Sequence, residues 1–307
     1  MQPVRNGWAA TVSDYWRALV MPVRWSGALP PASATLNMQF WVDAAPWRLT
    51  AGWVVLAGLL ASGLLQQWQA VDGKELLLLW LLADLLWGAL WRLAGGRTAM
   101  LGLGASGDDD ALRLPYMMAN SPAAQLLSLD ARNAIPYLVR VALPALLINL
   151  VVAAALGMPA LLCTGALVVV TVSGWILRRT LQTPPLLLHA VALVALPFLL
   201  VLIQFSTGPA SDIWPAAVAL GLLWTLHAWA EARTNVWESD RLALWLMGVV
   251  QAGLIILLVI NKTPIWAPIV AILLLPTWLR ALRSQPLAGL SGWWMVAFLV
   301  SALALGM

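Results

Sequence analysis

Nine mainly apolar stretches follow one another along this chain, at about 50–68, 75–94, 134–156, 158–177, 186–204, 213–230, 241–260, 264–280 and 288–306. Each approaches the roughly 20 residues that an α-helix needs to cross the hydrocarbon core of a bilayer. A single run of this kind suits a buried core helix. Nine of them in 307 residues leave too little polar chain to cover them in water. Backbone amides in hydrocarbon are satisfied within their own segment, so each run is expected as a helix. The predicted fold class is all-α: a polytopic membrane protein with nine transmembrane helices. Only 10% of the residues are charged and mean hydropathy is +0.86. Soluble domains carry roughly a quarter charged residues, and disordered chains need low hydrophobicity, so both classes are excluded.

Turn signals separate the runs: Gly157-Met158-Pro159, Gly208-Pro209, and Asn261 to Pro264. The cationic residues then set the orientation. With the N-terminus in the cytoplasm, the outside loops carry only Lys74 and Lys262. Arg140 lies a short way into the third helix, and the remaining arginines fall on cytoplasmic segments. That bias is the positive-inside pattern. It predicts a cytoplasmic N-terminus and an external C-terminus in a bacterial cytoplasmic (inner) membrane. The net charge of +4 follows this topology, and no nucleic-acid partner is expected. The first 49 residues carry charges throughout and lack an uninterrupted apolar core, so the first spanning helix is expected to direct insertion.

Two regions are expected. Residues 1–49 form a cytoplasmic N-terminal segment. There Val12, Trp16, Leu19 and Val20 recur at helical spacing, with Asp14 and Arg17 on other faces, which predicts an amphipathic surface helix. Residues 50–306 form the transmembrane domain, including a cytoplasmic loop at 95–133. That loop carries the acidic run Asp108-Asp109-Asp110 and the Ser121-Pro122 helix start, and short helices are expected near 109–119 and 122–131. The lone Cys163 excludes an internal disulfide and a thiolate zinc cluster.

Ionisable groups inside a spanning segment are costly, so each is a site hypothesis. Trp80, Asp84, Trp87 and Trp91 fall on one face of an ideal helix. Two readings stand side by side. The indoles and the carboxylate line a pocket for a flat or cationic ligand, or Asp84 pairs with Arg140 or another buried donor while the indoles pack a neighbour. His189 and His227 are the only histidines. Either they ligate a haem iron or a chlorin magnesium, or they are simply hydrogen-bonded. Asn149, Thr171, Ser173, Gln204 and Gln251 are expected to make interhelical hydrogen bonds. Nothing matches a Ser/His/Asp set, a nucleotide loop or a zinc helix, and no dedicated metal site is expected. Inverted repeats and a chain of intramembrane carboxylates, the marks of many transporters, are lacking.

Two cytoplasmic stretches bear on a known family. Ala83-Asp84-Leu85-Leu86-Trp87-Gly88-Ala89-Leu90-Trp91 falls in the latter half of the second run, at the family's first motif position, and Val236-Trp237-Glu238-Ser239-Asp240-Arg241 follows the sixth. In position and topology they resemble the UbiA superfamily of intramembrane aromatic prenyltransferases. That family has nine helices, a cytoplasmic N-terminus and Asp-rich motifs of the form NDxxDxxxD and DxxxD at these two places. The resemblance implies a UbiA-like bundle over most of 50–306. In the family the carboxylates hold magnesium on a prenyl diphosphate. Here only Asp84 matches in the first motif, with Trp87 and Trp91 where the next two aspartates belong, and only Asp240-Arg241 in the second. A diphosphate–magnesium cluster needs several carboxylates. The resemblance therefore implies a prenyltransferase-like fold that has lost catalysis.

The expected function is a non-catalytic membrane subunit or assembly factor of a photosynthetic or respiratory complex. It would contact membrane lipids and other membrane subunits, and bind lipid, quinone or (bacterio)chlorophyll, with Trp80, Asp84, Trp87, Trp91 and Arg140 as the candidate pocket. One alternative is an active magnesium-dependent prenyl or lipid transferase using Asp84, Glu238 and Asp240. A second is a transporter or flippase with Asp84 and Arg140 on its path. The 20 Trp, against 3 Tyr and 4 Phe, fit an interfacial belt where they lie near helix ends.

Overall fold

The computed structural model describes residues 51–64, 72–93, 139, 142–176, 185–205, 213–236, 240–283, 285, 287 and 289–307. The proposed surface helix of 1–49, the loop helices, Arg140 and Glu238 lie outside the described residues. Among the described residues there are nine helices and no strand. They are α1 (Ala51–Ala61), α2 (73–93), α3 (Leu143–Leu156), α4 (Met158–Ile176), α5 (Leu186–Phe205), α6 (Trp214–Val236), α7 (Arg241–Ile260), α8 (Trp266–Leu282) and α9 (Ser291–Gly306). Each coincides with one of the nine apolar stretches, in order. By length and composition α5 and α7, 20 residues each, are long and apolar enough to cross a membrane.

The helix ends follow local chemistry. Asp72 caps α2, its carboxylate accepting from Lys74 N at 2.9 Å. Gly157, at φ 104°, reverses the chain between α3 and α4 in a region that L side chains avoid. Asp240 caps α7 by accepting from Leu242 N and Ala243 N. Two boundaries differ from expectation. Helix α1 stops at Ala61 rather than near 68, because Gly63 turns to φ 74° and Ser62 Oγ donates back to Leu59 O. Helix α6 continues to Val236 rather than 230, past the charged Glu231 and Arg233.

Two apolar cores hold the helices together, and α1 and α5 belong to both. Val54, Ala57 and Ala61 of α1, with Val194, Phe198 and Leu202 of α5, join α6 to α9. Val55 of α1 and Leu196, Leu200 and Val201 of α5 join α2 to α4. The two helices can serve both cores because they pack closely on each other, with Gly58 against Val201. Small residues also let α9 reach α1. A Cβ on Gly306 would collide with the Leu60 carbonyl, so backbone meets backbone there.

A few polar side chains are enclosed within the apolar cores, and many large apolar side chains face outwards. The interior holds Asn149, Thr164, Thr225, His227, Gln251, Thr277 and Ser301. The outer faces of α3, α4, α7 and α8 present Leu147, Val151, Leu162, Val169, Ile256, Ile260, Ile272 and Leu275. Large exposed apolar side chains in such number are a feature of interaction faces.

Candidate functional site

The expected face on α2 does not form as a single surface. Residues Leu81–Leu86 make a π-helical turn inside the helix. A wide turn inserts one residue into the pattern and rotates the later part of the helix by roughly 100°. Trp80 therefore stays outside, 56% exposed, while Trp87 and Trp91 are each only 1% exposed. Asp84, within the wide turn, is half-buried. The structure keeps Trp80 and Asp84 together on α1: a Cβ on Gly52 would collide with Trp80 Nε1 and stand 3.2 Å from Asp84 Oδ2. Asn149 of α3 supports the same turn, Nδ2 donating to Leu86 O at 3.1 Å and to Ala145 O at 2.8 Å.

Trp87 and Trp91 are satisfied in the second core. Trp87 Nε1 donates to Thr164 Oγ1 of α4 at 3.1 Å. Trp91 Nε1 donates to His189 Nδ1 of α5 at 3.0 Å. An indole N–H can only donate, so Nδ1 is an acceptor and the ring proton sits on Nε2. A histidine bound to a metal through Nε2 needs the reverse, with Nδ1–H donating to its surroundings. His189 thus has the hydrogen-bond pattern of a helix-bridging residue.

His227 lies in a buried aromatic cluster built by α5 to α9. Its ring is 5.0 Å from Trp224 and 4.8 Å, edge-on, from Trp294. Gln251 Nε2 lies 3.3 Å from His227 Nε2. Trp294 Nε1 donates to Thr277 Oγ1 at 2.7 Å and Trp224 Nε1 to Ser301 Oγ at 3.2 Å. Phe298 stacks on Trp224 at 4.8 Å. A macrocycle approaching this ring would have to displace an indole. The expected interhelical role of Gln251 is seen here, and that of Gln204 at the far end, where Nε2 donates to Glu75 Oε1 at 2.7 Å and Leu156 O at 3.0 Å.

Asp240 is fully engaged. Oδ2 accepts from Arg233 Nε and Nη2, both at 2.7 Å, and Oδ1 accepts the first amides of α7. The two side chains are 5% and 11% exposed. Arg233 also sits 5.6 Å from the Trp229 ring centroid. Among the described residues, no group of three or more His, Cys, Asp or Glu is placed to hold a metal ion. Of the carboxylates considered for a magnesium–diphosphate cluster, Asp240 spends both oxygens on protein donors.

Arg233 was not singled out from the sequence. The available signal was Asp240 directly before an apolar run, which marks an N-cap, with a cation one helix end away. In the Trp224–His227–Trp294 cluster, Trp224 and His227 share α6 at i, i+3 spacing, but Trp294 comes from α9 and had no signal in linear spacing. Comparison with family models, curated proteins and solved structures finds no match to this chain.

Proposed function

We propose that this chain is a non-catalytic integral membrane subunit or assembly factor, with all nine helices in a bacterial cytoplasmic membrane, N-terminus inside and C-terminus outside. It sits beside other membrane subunits, in a photosynthetic or respiratory complex, and its bound molecules are lipid, quinone or pigment. Exposed apolar faces on the helices, and two helices long and apolar enough to cross a bilayer, support the membrane setting. The observation that carries the non-catalytic part is the state of the motif positions. Trp87 and Trp91 fill space and bond Thr164 and His189, while Asp240 is consumed by Arg233 and the α7 N-terminus. The resemblance to the prenyltransferase superfamily enters at the level of topology.

Purification from native membranes in mild detergent is the test. The expected result is co-migration with other membrane chains. A chain that runs alone, without partner or bound molecule, overturns the proposal. So does magnesium-dependent transfer from a prenyl diphosphate that disappears in Asp240→Ala.

A further inference from the structure

The inference rests on the membrane setting just proposed and concerns one end of α7, α8 and α9. The turn at 261–265 folds α7 and α8 into an antiparallel pair. A Cβ on Gly248 would stand 3.1 Å from Trp278 Cη2, so these two residues lie level. Trp294 Nε1 bonds Thr277 Oγ1, which brings the start of α9 to that level too. Three indoles there face outwards: Trp245 is 67%, Trp278 45% and Trp293 48% exposed. An indole that finds neither core nor water sits well at the headgroup boundary of a bilayer.

Past these indoles come arginines. At about 1.5 Å per residue, Arg241 lies roughly 10 Å beyond the Gly248 level and Arg283 roughly 8 Å beyond Trp278. Both are exposed, and the half-buried Arg280 lies in the last turn of α8, between Trp278 and Arg283 in sequence. Asp240, the carboxylate among the described residues at this end of α7, is already paired with Arg233. The opposite end of the same pair is different: the turn carries Lys262 as its cation, flanked by the exposed Ile260 and Ile265.

We infer that the α7–α8–α9 end is a binding surface for anionic phospholipid headgroups, with Arg241, Arg280 and Arg283 taking the phosphate and Trp245, Trp278 and Trp293 fixing the depth of the acyl-chain boundary. Arginine offers forked donors to phosphate oxygens, and each basic residue at an anionic surface contributes enough to change binding about fivefold. The backbone step of roughly 8–10 Å from indole to arginine is of the same order as the headgroup layer, roughly 5–8 Å on each side of a bilayer. A protein partner is the competing occupant, and the experiment separates it from lipid.

The full chain in detergent is titrated with phosphatidylglycerol or phosphatidylcholine, and bound lipid is counted by native mass spectrometry. The expected result is preferential retention of phosphatidylglycerol. Arg241→Gln with Arg283→Gln should weaken it about 25-fold, while Lys262→Gln leaves it unchanged. These sites are exposed, and a monodisperse elution profile confirms that the variant folds; if it does not elute so, the single Arg283→Gln variant takes its place, with about fivefold weakening expected. Equal retention of the two lipids overturns the proposal, as does full retention in the variant. Release of an acidic partner protein by the same variant, without a change in lipid, also overturns it and assigns the surface to that protein. Alkaline carbonate extraction decides the membrane setting separately: release of the chain overturns that setting, whereas a chain that stays in the membrane yet shows no lipid preference overturns only the inference.

Discussion

Asp240 supports two structures at once, and substitution can separate them. Asp240→Ala removes the acceptor of Arg233 and the cap of α7 together. Breaking a buried pair by deleting one partner costs about 3–5 kcal/mol, because the remaining charge stays desolvated. The Arg233 and Asp240 side chains are 5% and 11% exposed, so the lower half of that range applies. Loss of an N-cap adds about 1 kcal/mol. The alanine variant should therefore lose about 4–5 kcal/mol. Asp240→Asn keeps a good capping side chain and loses only the charge, so it should lose about 1 kcal/mol less. Removing the Arg233 charge as well, in Arg233→Gln/Asp240→Asn, should recover part of the loss, since deleting both partners of a buried pair is far cheaper than deleting one. Thermal scans followed by size-exclusion chromatography in one detergent read all three. At about 2–4 °C per kcal/mol for a chain of this order, Asp240→Ala should drop the midpoint by roughly 10 °C. A drop below about 2 °C would refute the reasoning, and so would a double variant no better than Asp240→Asn.

Three other expectations concern single contacts and the orientation in the membrane. Gly306→Ala forces α9 off the Leu60 carbonyl; overpacking of this kind costs about 1–3 kcal/mol, and an unchanged melting midpoint would contradict the close approach. Trp87→Phe leaves Thr164 without its indole donor, for about 1–3 kcal/mol; Trp87→Phe combined with Thr164→Val should be less damaging than the single change, as measured by a double-mutant cycle. Cys163 is free and buried, so in a Cys163→Ala background a membrane-impermeant maleimide should label Lys262→Cys from outside intact cells. Arg283→Cys should react only after permeabilisation, and the reverse labelling would invert the proposed topology.

The sequence by itself determined the number and order of the helices among the described residues. Apolar runs and their Gly, Pro and Asp boundaries are local, and backbone hydrogen bonding in a helix is local too, so one-dimensional pattern suffices. Asp72 and Asp240 before apolar runs, and Gly157 between two of them, are cases where the residue and the helix end coincide. The face of α2 was not legible in this way. Placing Trp80, Asp84, Trp87 and Trp91 on one face assumes a constant 3.6-residue turn, and the π-helical turn at Leu81–Leu86 breaks that assumption. Asn149 on the Leu86 carbonyl comes from another helix, so the support for that turn is a tertiary fact. The histidines show the same division. Linear sequence placed His189 and His227 within helices; packing decided that Trp91 meets one ring and that Trp224, Trp294 and Gln251 enclose the other. Side-chain partners depend on which helices meet and at what level, and close approach through Gly58, Gly248 and Gly306 sets both.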